Sequence, residues 1–249
     1  MTVHLGIIGG TGSAELFGGG ALVALAPGPW GPTSGPLRRC QVGGREVLVL
    51  ARHGETGAPA IPPHRVNYRA NIWALREAGV EHVLGINAVG GITLATPPGR
   101  LVIPDQLIDY TWGREHTYTG DHRFALRHVE FTNPFNPSFR AKLLATANTL
   151  GLDPMSEATY GVTQGPRLES AAEIDRLERD GCHIVGMTAM PEAGLARELD
   201  LSYAICCVVV NRAAGRAPPG LGIHAEIAAS LATGMDRVRR LLVELVKAD

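Results

Sequence analysis

What most constrains this chain is a set of short apolar runs, at 5–8, 47–51, 83–88, 101–104, 184–187 and 204–210. Runs of this length suit strands buried on both faces, and they are too short for buried helices. Helix-length segments fall between several of them. Residues 67–78 carry Ile72 and Leu75 among Arg and Glu. Asn136 is placed to cap a helix that begins at Pro137, carries Phe139, Leu143 and Ala147 at helical spacing and ends at Gly151. Ser170 followed by Glu173 is a capping-box pattern for a helix through Leu177. A last long helix over 225–246 has Ile227, Leu231, Val238, Leu241 and Leu245 on one side. The alternation predicts an α/β fold with a mixed central sheet flanked by helices. No linker, repeat or low-complexity tract divides the 249 residues, so one domain over 1–249 is expected.

Several classes of function are disfavoured before any motif is read. A formal net charge of −1 gives no basic stripe for nucleic acid. No apolar run reaches membrane-spanning length, and the N-terminus lacks the pattern of a signal peptide, so a cytoplasmic protein is expected. Cys40, Cys182, Cys206 and Cys207 have no metal-ligand spacing, and the last two read as buried thiols.

In open α/β sheets ligands bind outside the strand ends, so the residues after each apolar run carry the argument. The first run ends in Gly9-Gly10-Thr11-Gly12-Ser13 and the second in Arg52-His53-Gly54. The third ends in Asn87 and Ala88, the fifth in Met187 and Thr188, and the sixth in Asn211-Arg212-Ala213. Converging, these tips would supply backbone amides, hydroxyls, a guanidinium, an imidazole and an amide, a set that suits a tetrahedral oxyanion beside a polar heterocycle. A dinucleotide fingerprint would need glycine where Glu15 stands, and a longer helix than Gly18-Gly19-Gly20 permits. The first loop is therefore read as serving a free phosphate.

Six stretches then carry a specific resemblance: IIGGTG, LARHG, PPHRVNYRANIWAL, NAVGGI, QGPRLES and GMTAMPEAGLARELDLSYA. In register from Ile7 to beyond Asn211, the chain resembles the methylthioadenosine phosphorylase branch of the trimeric purine nucleoside phosphorylases. Within that branch it is similar to the bacterial S-methyl-5'-thioinosine phosphorylases. The resemblance implies a pentosyltransferase of purine salvage, in which inorganic phosphate attacks the anomeric carbon of a nucleoside and releases the base. Phosphate is then a co-substrate, and no cofactor, metal or covalent nucleophile is implied. A homotrimer is expected by analogy alone.

Carried over onto this sequence, the resemblance assigns phosphate contacts to Thr11, Arg52, His53, Asn87, Ala88 and Thr188, with Asn87 standing where many relatives have threonine. It places Met187 under the ribose and gives His128 the part of a histidine that reaches a neighbouring subunit's site. His53 and Asn211 are the expected catalytic residues, with Asn211 stabilising charge that develops at N7 of the departing purine. Adenine-specific relatives carry two aspartates where this chain has Asn211 and Ala213, and a small polar residue where it has Glu169. Glutamate with asparagine suits a 6-oxopurine: the carboxylate accepts from N1–H and the amide donates to O6 or N7. The 5' end of the nucleoside stays open. Overall similarity implies a methylthio group, whereas His224 stands where inosine phosphorylases contact a 5'-hydroxyl. The rival readings are a methylthioadenosine phosphorylase acting on the 6-aminopurine and a nucleoside-binding protein without turnover.

Taken singly, each residue has a plainer explanation. Thr11 and Asn211 are ordinary turn formers, Glu169 suits a helix start, and Arg52-His53 would pass for a solvated pair. Met155, Tyr203 and Trp73 read as packing residues, and His64 as a minor candidate beside a Gly- and Pro-containing loop over 54–63.

Overall fold

The β-strand over Leu5–Gly9 (β1) is the first element of a computed structural model that describes residues 4–17, 19–120, 123–218 and 223–247, without the side chains of 14, 15 and 223–225. It is followed by α1 (Ala14–Phe17), β2 (Ala21–Leu22), β3 (Arg38–Val42) and β4 (Arg45–Ala51). Next come α2 (Tyr68–Glu77), β5 (His82–Gly91), β6 (Leu101–Val102), β7 (Gln106–Asp109) and α3 (Pro137–Thr149). The chain continues through β8 (Thr159–Val162), α4 (Ala171–Arg179), β9 (Ile184–Gly186), α5 (Ala189–Glu198), β10 (Ser202–Arg212) and α6 (Ile223–Lys247).

The sheet is mixed, as the alternation predicts. Its order is β2-β3-β4-β1-β5-β9-β8-β7, with β10 lying along β5 and β6 along β10. Side chains alternate across it, as the period of a strand requires. Ile8, Tyr203, Ile205, Cys207 and Val209 face a core shared with Ile72 and Leu75 of α2 and Leu195 of α5. Ile7, Ala204, Cys206, Val208 and Val210 face a second core shared with Leu143 of α3 and Leu241 of α6. Helices therefore cover both faces, and burying each such Leu or Ile contributes roughly 1.5–3 kcal/mol. Burial raises the Cys206 thiol to about 12, which makes it a packing group.

Helix starts follow their cap signals. Asn136 Oδ1 accepts from Phe139 N at 2.9 Å. Ser170 and Glu173 form the reciprocal capping box. The run expected over 101–104 contracts to Leu101–Val102, since Pro104 has no N–H to offer a ladder. Neither β3, β7 nor β8 is visible as an apolar run, because their residues are mixed; β3 lies toward one edge of the sheet and β7 and β8 toward the other. No described helix is long and apolar enough to cross a membrane.

One feature of the sheet shapes everything near its centre. β1 and β9 both pair with β5, β1 in parallel as far as Gly9 opposite Ile86, and β9 antiparallel from Val185 opposite Gly90. β10 pairs with β5 along its whole length. Between Ile86 and Gly90, β5 thus has no strand on the side shared by β1 and β9, and a crevice opens there.

Candidate active site

A cavity of about 480 Å³ occupies that crevice. Its walls include Thr11, Arg52, His53, Asn87, Ala88, Glu169, Met187, Thr188, Asn211 and Ala213. The strand tips singled out from the sequence thus meet in one place. His128 does not join them, lying exposed in the loop before α3. The side chain of His224, near the start of α6, lies outside the described residues. His64 is in a 3-10 turn (Pro63–Arg65) and is absent from the cavity wall.

The end of the cavity expected to take the anion is built from backbone and from buried polar side chains. Gly10 N donates to Ile86 O at 3.1 Å, so the peptide of Ile86 faces β1. Strand alternation then turns the Ala88 N–H toward the same side, where no strand receives it. A Cβ on Gly10 would stand 2.7 Å from both Arg52 Nη1 and Ile86 O, so the first loop needs glycine there to pass so close. Ser13 Oγ turns back to Gly10 O at 2.7 Å, whereas Thr11 stays exposed at the cavity wall.

Arg52 is 0% exposed, and its guanidinium is held mostly by protein. Nε and Nη2 donate to the two carboxylate oxygens of Glu192 at 2.5 and 3.0 Å. Nη1 donates to Ile86 O at 3.1 Å, and Nη2 also reaches Asn87 Oδ1 at 3.2 Å. Tyr203 donates from its hydroxyl to Glu192 at 2.9 Å. Of the five guanidinium hydrogens, one on Nη1 is left over for the cavity. Burial, the largest single influence, works against the charge of Arg52. Attraction and hydrogen bonding from Glu192, with Tyr203 and Tyr68 adding to it, outweigh that and hold its pKa above the ordinary range. Arg52 and Glu192 therefore form a buried ion pair beneath this end of the cavity, and the charge of Arg52 is matched there.

His53 stands beside them with Nδ1 2.8 Å from Ile61 O. Burial and then the neighbouring Arg52 charge lower its pKa, which favours the neutral ring. Asn87 Nδ2 donates to Thr188 Oγ1 at 3.0 Å, so the second hydroxyl of the expected set is tied to the strand tip opposite it.

The end expected to take the base is assembled differently. Met187 and Thr188 follow β9, and Glu169 stands in the loop after β8, where its carboxylate accepts from Thr163 Oγ1 at 2.6 Å. β10 bulges between Val209 and Asn211, so two of its residues face one of β5. Such a bulge re-aims the strand's end, and Val210, Asn211 and Ala213 all line the cavity. Asn211 Nδ2 donates to Arg212 O at 2.6 Å, which fixes the amide. Ile61 in the 54–63 loop and Ile227 and Leu231 of α6 supply apolar wall.

Three site residues escape sequence reasoning. Glu192 follows Pro191 in α5 and would pass for a solvated helix residue. Tyr203, expected to be packing alone, also orients Glu192. Arg114, 8% exposed, donates from Nη1 to Met187 O and Met190 O at 2.7 and 2.6 Å and from Nη2 to Gln164 O at 2.8 Å. It thereby ties the loop after β8 to the loop after β9. A polar stretch such as TWGREHT gives no periodic signal for that role. No group of three or more His, Cys, Asp or Glu able to hold a metal occurs among the described residues.

Comparison with known proteins accords with this geometry. A model of the phosphorylase superfamily matches residues 4–247. A probable S-methyl-5'-thioinosine phosphorylase of Pseudomonas syringae pv. tomato is 47% identical over 249 residues, all of both chains. A 6-oxopurine nucleoside phosphorylase of Pyrococcus furiosus is 43% identical over 210 residues, covering 82% of this chain and 78% of its own. The methylthioadenosine phosphorylase of Schistosoma mansoni, solved with adenine, superposes with a TM-score of 0.88 at 32% identity, covering 99% of this chain and 91% of that one. The converging strand tips and a match that runs through nearly every element have one reading: the chain belongs to the phosphorylase superfamily.

Proposed function

We propose that the chain cleaves 6-oxopurine nucleosides with inorganic phosphate, taking S-methyl-5'-thioinosine in preference to inosine and guanosine. A phosphate oxygen forms a bond to the anomeric carbon as the bond to N9 of the purine breaks. The electron pair of that bond passes to the base, which takes a proton at N7, balanced by the proton that monohydrogen phosphate loses on becoming the phosphate ester. Thr11, Arg52, His53, Asn87, Ala88 and Thr188 serve the phosphate, and Met187 lies beneath the ribose. Holding the two reactants together in one cavity provides much of the rate enhancement, and stabilising the charge on the leaving purine adds to it.

The observation that carries this reading is that Glu169 and Asn211 line the same cavity as Ala88, His53 and Thr188. A carboxylate to accept from N1–H and an amide to donate to O6 or N7 match the oxo base; an adenine would leave one buried partner mismatched, at a cost of about 1–3 kcal/mol. Ala213, in place of a second acid, supports the same choice against methylthioadenosine. The apolar wall of Ile227 and Leu231, with the full-length similarity to thioinosine phosphorylases, favours the methylthio group. We place the reaction in the cytoplasm and in a homotrimer, where the exposed Leu94, Trp112 and Leu126 would be covered and His128 would reach a neighbour.

Inosine, guanosine, adenosine, S-methyl-5'-thioinosine and methylthioadenosine compared side by side, with and without phosphate, test the reading. Base release should require phosphate and should be fastest with methylthioinosine. Faster cleavage of either adenine nucleoside would overturn the base assignment, and phosphate-independent release would overturn the reaction.

A further inference from the structure

We infer that the anion site is polarised for a tetrahedral oxyanion that still carries one proton, with His53 Nε2 as its acceptor and the Thr188 hydroxyl as a donor. The inference rests on the phosphorylase reading and adds which form of the anion is selected.

The polarity of the site follows from groups that have no choice. Arg52 Nη2 can only donate, so the amide atom of Asn87 that faces it, at 3.2 Å, is the oxygen. The amide nitrogen is thereby turned to Thr188 Oγ1, at 3.0 Å, and donates to it. Thr188 occupies the N-cap position of α5, yet its side chain makes no capping bond. A threonine there ordinarily uses its oxygen to accept from the helix's first N–H groups. Here one lone pair of that oxygen accepts from Asn87, and the hydroxyl hydrogen, which has no acceptor among the described residues, can point into the cavity that Thr188 lines. With the N–H of Ala88 beside it, this part of the site offers donors, which by themselves would accept sulfate as readily as phosphate.

His53 has the opposite sign. Its Nδ1 lies 2.8 Å from Ile61 O, and a carbonyl can only accept, so Nδ1 carries the hydrogen. Nε2 has no partner among the described residues and is not among the buried orphaned atoms, so it opens onto the cavity that His53 lines. Burial and Arg52 favour the neutral ring, which leaves a lone pair on Nε2. Monohydrogen phosphate can donate its O–H to that lone pair. Sulfate, unprotonated near neutral pH, would set oxygen against nitrogen with no hydrogen between them.

The test measures, with inosine or S-methyl-5'-thioinosine as substrate near pH 8, the KM for phosphate, the KM for arsenate and the competitive Ki for sulfate. Arsenate is protonated as phosphate is and should support cleavage. The sulfate Ki should exceed the phosphate KM by about tenfold or more, the scale of one mismatched buried hydrogen bond. In His53→Gln, whose amide can turn an N–H to the anion, that ratio should fall several-fold, whereas a merely structural role would raise both constants together. A wild-type ratio within about threefold, or a ratio unchanged in His53→Gln, would overturn the inference while leaving the phosphorylase intact. No cleavage with either phosphate or arsenate would instead remove the reading on which it stands.

Discussion

At the anion end of the cavity Arg52, Glu192 and Asn87 are 0, 0 and 1% exposed, and their polar atoms are satisfied largely by one another. At the base end Glu169 and Met187 are half-buried on loops, and Asn211 stands on a bulged strand end. The first region is continuous with the protein core, so its chemistry cannot be changed without disturbing the fold. The second is carried by two loops, one arginine and the end of a single strand, so its selectivity can change at a smaller cost in stability. On the proposed reading, one end serves the reaction and the other chooses the molecule that undergoes it.

Removing Glu192 should break this contrast most forcefully. Glu192→Ala leaves the guanidinium of Arg52 buried and unpaired, and chemical denaturation should show a loss of about 3–5 kcal/mol. A loss below about 1 kcal/mol would mean that the anion end is not part of the core. Arg114→Met should act on the base end through position: losing the ties to Met187, Met190 and Gln164 should lower kcat/KM for nucleoside about 100-fold. Equal kinetics in that variant would show that the two loops hold their places unaided. Asn211→Asp should shift the inosine-to-adenosine preference about tenfold toward the amino base. Its stability should fall by about 1–2 kcal/mol, because the carboxylate cannot replace the bond from Asn211 Nδ2 to Arg212 O; a loss as large as that of Glu192→Ala would make this end as structural as the other.

The smallest expected effect is on pH. Burial is the first cause lowering the pKa of both His53 and His82, so between their folded values and the unfolded value near 6.5 the unfolded chain binds more protons. Stability should accordingly be unaffected by these groups above that value and decline as pH falls below it. Denaturation midpoints measured from pH 8 down to 5.5 should show the decline. His53→Gln should flatten part of it.

The strand tips were legible because each closes an apolar run, and polar or glycine residues just past such a run have few structural duties in common. The capped helices were equally legible: Asn136, and Ser170 with Glu173, do what their chemistry favours. What was illegible depends on pairing across long separations. Glu192 is 140 residues from Arg52 and follows a proline, so neither charge nor periodicity announces that it is buried. Arg52 itself is legible as a phosphate residue, but nothing in the sequence shows that most of its hydrogens go to protein. The bulge in β10 leaves no mark in AICCVVVN, although it decides where Asn211 faces. Strands such as QLID and TYGV are too mixed to stand out.

The gap that β1 and β9 leave along β5 has a consequence for what substitution can reach. The N–H of Ala88 belongs to the peptide and not to any side chain, so almost every replacement at that position would still present it. Proline alone among the standard residues deletes it. The contact proposed for it is thus written in the spacing of neighbouring strands, and a chain could lose every recognisable letter at that point while still offering that donor to the cavity.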